Sequence, residues 1–162
     1  MAQAAAALSD YRPVGQRMLP SRIGPWLVLQ DCYNANPRST ATALETLATL
    51  PGPRAAVLGA MLELGPREAE LHAQVAARAA ELGIDLLVAV GPSAALYAQG
   101  ITGDRLQFVA CDSHAQAAEV LAARLAAGGT ALIKGSRGAR MEQVIAALQQ
   151  RFAAAGVQPG RC

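Results

Sequence analysis

The chain has 162 residues, 52% hydrophobic and 16% charged. That balance fits one globular domain with its own core and excludes a disordered polypeptide. A net charge of +2, with arginines scattered along the chain, argues against a nucleic-acid surface.

Residues 1–24 contain Pro13, Gly15, Pro20 and Gly24. They read as a short helix end at 4–8 and an irregular lead-in from a preceding domain, with the domain proper at 25–162. The first ten residues have neither a basic start nor a long apolar stretch, so no signal peptide is expected. No apolar segment is long enough to span a bilayer. Beyond residue 25, short apolar runs at 26–29, 55–58, 86–90, 106–110 and 130–133 read as strands buried on both faces. Helical patterns fill the gaps at 39–50, 66–82, 91–99 and 113–127. The clearest pattern is a further, final helix, where Met141, Val144, Ile145, Leu148 and Phe152 share one face. Strict alternation predicts an α/β, Rossmann-like open sheet, mainly parallel, with helices on both faces. Ligands of such sheets bind in the loops that follow the strands.

Three of these loops carry unusual chemistry. In Asp31-Cys32-Tyr33-Asn34-Ala35-Asn36-Pro37, Asp31 can accept from ribose hydroxyls, and Asn34 and Asn36 suit a purine edge or a phosphate. The alternative reading is a turn with Asn as helix cap and Pro at the first helical position. In the segment from Leu58 to Pro66, two glycines bracket an apolar turn whose Met61, Leu62 and Leu64 read as packing residues. In Lys134-Gly135-Ser136-Arg137-Gly138-Ala139-Arg140-Met141-Glu142, three cations crowd the start of a helix, an arrangement that favours a bound anion. Ser136 adds a hydroxyl donor. The alternative is a capped helix with solvated basic residues.

Other chemistries find no support. Neither a G-x-x-x-x-G-K-[ST] loop nor a G-x-G-x-x-G after a strand is present. Cys32 has no neighbouring base to activate it. Cys32, Cys111 and Cys162 lack metal spacing, and His72 and His114 lie far apart. A reduced, cytoplasmic setting without a metal site is therefore expected.

The order and spacing of DCYNANP at 31–37, LGAMLELG at 58–65 and KGSRGARME at 134–142 resemble the carboxy-terminal domain of the Mur ligase family, in its D-alanyl-D-alanine-adding branch. His72 falls where that family often places a histidine. Two departures stand out: Ala60 occupies the position of a usual Asp, and Gln16 separates Gly15 from Arg17 where the family has a Gly-Arg pair.

The resemblance implies an ATP-dependent ligase of peptidoglycan-precursor synthesis that joins D-alanyl-D-alanine to UDP-N-acetylmuramoyl-tripeptide through an acyl phosphate. ATP and Mg would be held mainly by a central domain that this chain lacks, so the isolated domain is expected to be inactive. By family position Arg17 would reach the phosphates, and Asp31, Asn34 and Asn36 would contact ribose and adenine. Ser136 and Arg137 would face the dipeptide carboxylate, with Lys134 supporting the electrostatics. The alternatives are a free-standing, non-catalytic nucleotide- or anion-binding α/β module and a structural interaction domain. An upstream reading frame encoding G-x-x-x-x-G-K-[ST] would separate the ligase domain from the module.

Overall fold

The computed structural model describes residues 17–154. The helix end expected at 4–8 lies outside them. Six strands form one sheet, β1 (Leu19–Ile23), β2 (Trp26–Asp31), β3 (Arg54–Leu58), β4 (Leu86–Val90), β5 (Gln107–Cys111) and β6 (Thr130–Lys134). Between and after them run α1 (Pro37–Ala48), α2 (Glu68–Glu81), α3 (Ala94–Ala98), α4 (His114–Arg124) and α5 (Glu142–Ala154). Short 3₁₀ turns occupy Gly65–Arg67 and Arg137–Ala139.

The strand order is β1-β2-β6-β3-β4-β5. β2 through β5 are parallel along this order, and β1 alone runs antiparallel, against β2. The α/β architecture predicted from alternation is thus the one observed. β4 and β6 are buried along their whole length, as strands covered on both faces must be. Alternate residues feed two cores. Val28, Val57, Val88 and Ile133 pack with Leu121, Val144 and Leu148 of α4 and α5. Leu29, Ala56, Leu58, Leu87 and Leu132 pack on the opposite face with Leu44, Leu47, Val75, Ala79 and Tyr97 of α1, α2 and α3.

The irregular reading of the lead-in is corrected at residues 19–23. LPSRI pairs with β2 across a turn at Gly24, whose φ of 56° suits glycine. Only Ile23 of this strand is buried, so its sequence carries no apolar run to reveal it. Pro20 is tolerated because β1 is an edge strand. β5 lies one residue later than expected. It is the other edge strand, and only Cys111 of it is buried.

A further difference lies after β6. The strand does not feed directly into a helix. The 3₁₀ turn at Arg137–Ala139 comes first, then Arg140 in the left-handed region at φ 47°, and α5 begins at Glu142. Arg137 and Arg140 therefore sit on a separate turn ahead of the helix, while Lys134 ends β6.

Candidate functional site at the carboxyl edge of the sheet

The chain reverses its order across the sheet at β6, which is inserted between β2 and β3. Helix α1 leaves β2 toward one core while α5 follows β6 into the other. The strand ends there open a crevice, the usual ligand position in open α/β sheets. All three motif loops meet at this edge.

Glycines permit the close approach. A Cβ on Gly59 would lie 2.5 Å from Met141 Sδ, and one on Gly135 would lie 2.6 Å from Met141 Cγ. Met141 is fully buried between the loops. Backbone bonds extend the β3–β6 pairing beyond the strands. The Gly59 N–H donates to the Lys134 carbonyl at 2.9 Å, and the Ser136 N–H donates to the Ala60 carbonyl at 3.0 Å.

Side chains complete the frame. Ser136 Oγ donates to the Ala35 carbonyl at 3.1 Å and accepts from the Leu62 N–H at 3.0 Å. One hydroxyl therefore joins all three loops. His72, fully buried, accepts from the Met61 N–H through Nε2 at 3.1 Å and donates from Nδ1 to the Glu68 carbonyl at 2.7 Å. These partners fix the tautomer with the hydrogen on Nδ1. Tyr97 packs edge-on against His72 and donates to the Gly59 carbonyl at 2.8 Å. The apolar loop from Leu58 is thereby held from beneath. Met61 is fully buried, as a packing residue should be, whereas Leu62 is 46% exposed.

A groove of about 510 Å³ opens between the β2–α1 loop and α1, lined by Arg17, Asp31, Asn34, Asn36, Arg38 and Lys134 among others. It falls within the size range of small-molecule sites. The four residues assigned to a nucleotide, Arg17, Asp31, Asn34 and Asn36, thus lie together. Ser136 and Arg137 do not line it. Arg137 is exposed on its 3₁₀ turn, with its guanidinium 5.8 Å from the Tyr33 ring.

Three expectations change at the level of individual atoms. Lys134, assigned to lend charge to a substrate, instead donates to Asp31 Oδ2 at 2.6 Å and to the Asn34 carbonyl at 2.8 Å. Its side chain is 2% exposed and that of Asp31 10%. The ammonium is neutralised inside the protein and serves as a strut for the first loop. Ser136 has one hydroxyl proton, already committed to the Ala35 carbonyl. It is not a free donor in this arrangement. Asn36 is the N-cap of α1. Its side chain accepts from the Ser39 N–H at 2.8 Å, Ser39 Oγ accepts from the Asn36 N–H, and Pro37 opens the helix. This is the capping alternative, and it occupies the Asn36 side-chain oxygen.

Asn34 Oδ1 accepts from the Ala35 N–H at 2.8 Å, while the residue itself remains exposed. Cys32 is buried, and its Sγ faces the Ile133 carbonyl at 3.6 Å. Burial, followed by the negative charges of Glu142 and Asp31, pushes its thiol up to about 12. It is no nucleophile at neutral pH. Tyr33 was the residue sequence reasoning passed over. It is 40% exposed, with the Arg17 guanidinium 4.7 Å from its ring as well. An exposed aromatic in a ligand-edge loop was the available signal.

Among the described residues, no three His, Cys, Asp or Glu side chains converge as a metal site. No helix among them is long and apolar enough to cross a membrane.

Known proteins resemble this chain in sequence and fold. The family described as "Mur ligase, glutamate ligase domain" matches residues 16–137. The UDP-N-acetylmuramoyl-tripeptide–D-alanyl-D-alanine ligase of Escherichia coli K12 is 36% identical over 147 residues, covering 90% of this chain and 32% of that protein. The enzyme of the same name from Bacillus subtilis 168 is 30% identical over 150 residues, covering 88% and 32%. Among solved structures, MurF ligase from Thermotoga maritima in complex with ADP superimposes with a TM-score of 0.77 at 29% identity, covering 91% of this chain and 34% of its own. MurF from Acinetobacter baumannii gives 0.80 at 28% identity, covering 93% and 33%. The chain spans about a third of the length of these relatives. With a family match over most of its length and relatives of 30% identity or more along nearly the whole chain, the chain belongs to the Mur ligase family.

Proposed function

We propose that this chain is the carboxy-terminal domain, with β1 as its first described strand, of a cytoplasmic ligase that joins D-alanyl-D-alanine to UDP-N-acetylmuramoyl-tripeptide at the expense of ATP. The convergence of the three motif loops on one crevice supports this reading most directly. The relatives' names supply the ligation and its two substrates, and the family resemblance supplies the acyl-phosphate route. ATP phosphorylates the tripeptide carboxylate, and the dipeptide amine attacks the acyl carbon to form the amide and release phosphate.

In this reading the domain closes over a nucleotide held mainly elsewhere, together with its magnesium. Arg17 reaches the phosphates. Asp31 and Asn34 meet ribose and adenine from the groove, and Asn36 orients the loop by capping α1. Lys134 holds the Asp31 carboxylate in place. Arg137, exposed and carrying five donors, takes the carboxylate of the incoming dipeptide, while Ser136 holds the loop that presents it. Closure aligns amine with acyl carbon and excludes water, the principal requirements of an acyl-phosphate ligation.

The test uses the longer ligase that contains this domain. ADP release should require both UDP-muramoyl-tripeptide and D-alanyl-D-alanine, and the 162-residue chain alone should release none. A charged hydrogen bond is worth roughly 1.5–3 kcal/mol. Arg137→Ala should therefore raise KM for the dipeptide about ten- to a hundredfold while leaving KM for ATP nearly unchanged. Loss of ATP affinity with the dipeptide spared would reverse the assignment of the loops. Submicromolar ATP binding by the chain alone would favour a self-sufficient binding module.

A further inference from the structure

We infer that Tyr33 is a positioning residue whose ring holds Arg17 and Arg137 together, and so links the nucleotide side of the site to the dipeptide side. This rests on the assignment of those two arginines above. The two guanidinium carbons lie 4.7 and 5.8 Å from the centre of the same ring, within the range of cation–π attraction. They come from separate segments, one before β1 and one on the turn after β6. Tyr33 itself stands on the β2–α1 loop between them.

Neither arginine has a carboxylate partner among the ion pairs of the described residues. Two like charges converge on one exposed ring. The quadrupole of that ring offsets part of their repulsion and restricts two long, mobile side chains. The loop beneath the ring is tied down at three successive residues. Asn34 is bonded to Lys134 through its carbonyl, Ala35 to Ser136, and Asn36 caps α1. Tyr33 thus offers a tethered platform at the carboxyl edge of the sheet against which both guanidinium groups rest. The contact is made by the ring face. No hydrogen bond involves the phenol oxygen among those of the described residues, so the hydroxyl is dispensable in this role.

The experiment compares Tyr33→Phe and Tyr33→Leu in the full-length ligase by steady-state kinetics. Tyr33→Phe should behave as the parent. Tyr33→Leu should raise KM for ATP and for D-alanyl-D-alanine together, each about two- to fivefold, with kcat within about twofold, because the arginines still reach the ligands once bound. Combining Tyr33→Leu with Arg137→Ala should add nothing further to KM for the dipeptide. Equal damage from Tyr33→Phe and Tyr33→Leu would overturn the inference in favour of a hydroxyl contact. An effect confined to one substrate, or simple additivity with Arg137→Ala, would also overturn it.

A second readout does not depend on ligase activity. In the 162-residue chain, the guanidinium proton resonances of Arg17 and Arg137 should be shifted upfield by the ring. The shift should persist in Tyr33→Phe and vanish in Tyr33→Leu. If the ligase assay shows no D-alanyl-D-alanine-dependent reaction but the shifts behave as expected, the proposed function fails and the ring contact stands. Unshifted resonances in the parent chain sink the inference itself.

Discussion

Replacing Asp31 by Asn changes one atom's charge and little of the shape, yet should cost the fold heavily. The Lys134 ammonium lies 2.6 Å from Asp31 Oδ2, with only the Asn34 carbonyl at 2.8 Å as a second partner. Both side chains are almost completely enclosed, at 2% and 10% exposure. A buried pair contributes little over an apolar substitute, but deleting one partner strands a charge and costs about 3–5 kcal/mol. For a domain of this size, each kcal/mol lowers Tm by roughly 2–4 °C, so Asp31→Asn should melt about 6–20 °C below the parent. Urea denaturation should show a lower midpoint at unchanged slope. Lys134→Met should be similarly damaging. The double variant should lose less than the sum of the singles, by up to about 3 kcal/mol, because no unpaired charge remains. If Asp31→Asn stays within about 0.5 kcal/mol of the parent, or if the two losses simply add, the pair does not stabilise the crevice. The same geometry alters how a kinetic result is interpreted. Asp31→Ala should weaken ATP binding in the ligase, but part of that loss will come from a disordered first loop. Stability must therefore be measured alongside KM.

Gly135→Ala should destabilise the domain by about 1–3 kcal/mol through overpacking, since its Cβ would meet Met141 Cγ at 2.6 Å. Shortening Met141 in the same chain should recover part of this in urea titrations, and additive losses would place the conflict elsewhere. Cys32 should resist thiol reagents at pH 8 in the folded chain and react once unfolded. Rapid labelling of the native protein would contradict its burial. The same thiol makes stability pH-dependent in a definite direction. Its folded value is raised from 9.0 to about 12, so above pH 9 the unfolded state releases a proton that the folded state retains. Its contribution is complete below pH 9 and is lost as pH rises toward 12. Cys32→Ala should flatten the alkaline fall in denaturation midpoint, and an unchanged slope would refute the assignment to this thiol.

The sequence by itself determined the layers of this protein. Apolar runs such as LLVAV and TALIK can be satisfied only by burial on both faces, and the intervening 3.6-residue patterns supply the helices that cover them. It also identified the three loops, because glycines, a capping Asn-Pro and clustered cations are local signals readable one segment at a time. Tertiary structure alone decided what those residues do. β1 became visible only through its pairing with β2, since its exposed LPSRI carries no periodicity. Inserting β6 beside β2 brought Lys134 to Asp31 across 103 positions of sequence. That contact turned an apparent substrate cation into an internal strut. The Ser136 hydroxyl was likewise committed to Ala35, 101 positions away. Composition and spacing specify which groups a loop carries. Which of those groups remain available to a ligand depends on the neighbours that strand order supplies, and strand order is set by pairings between distant segments that no local pattern encodes.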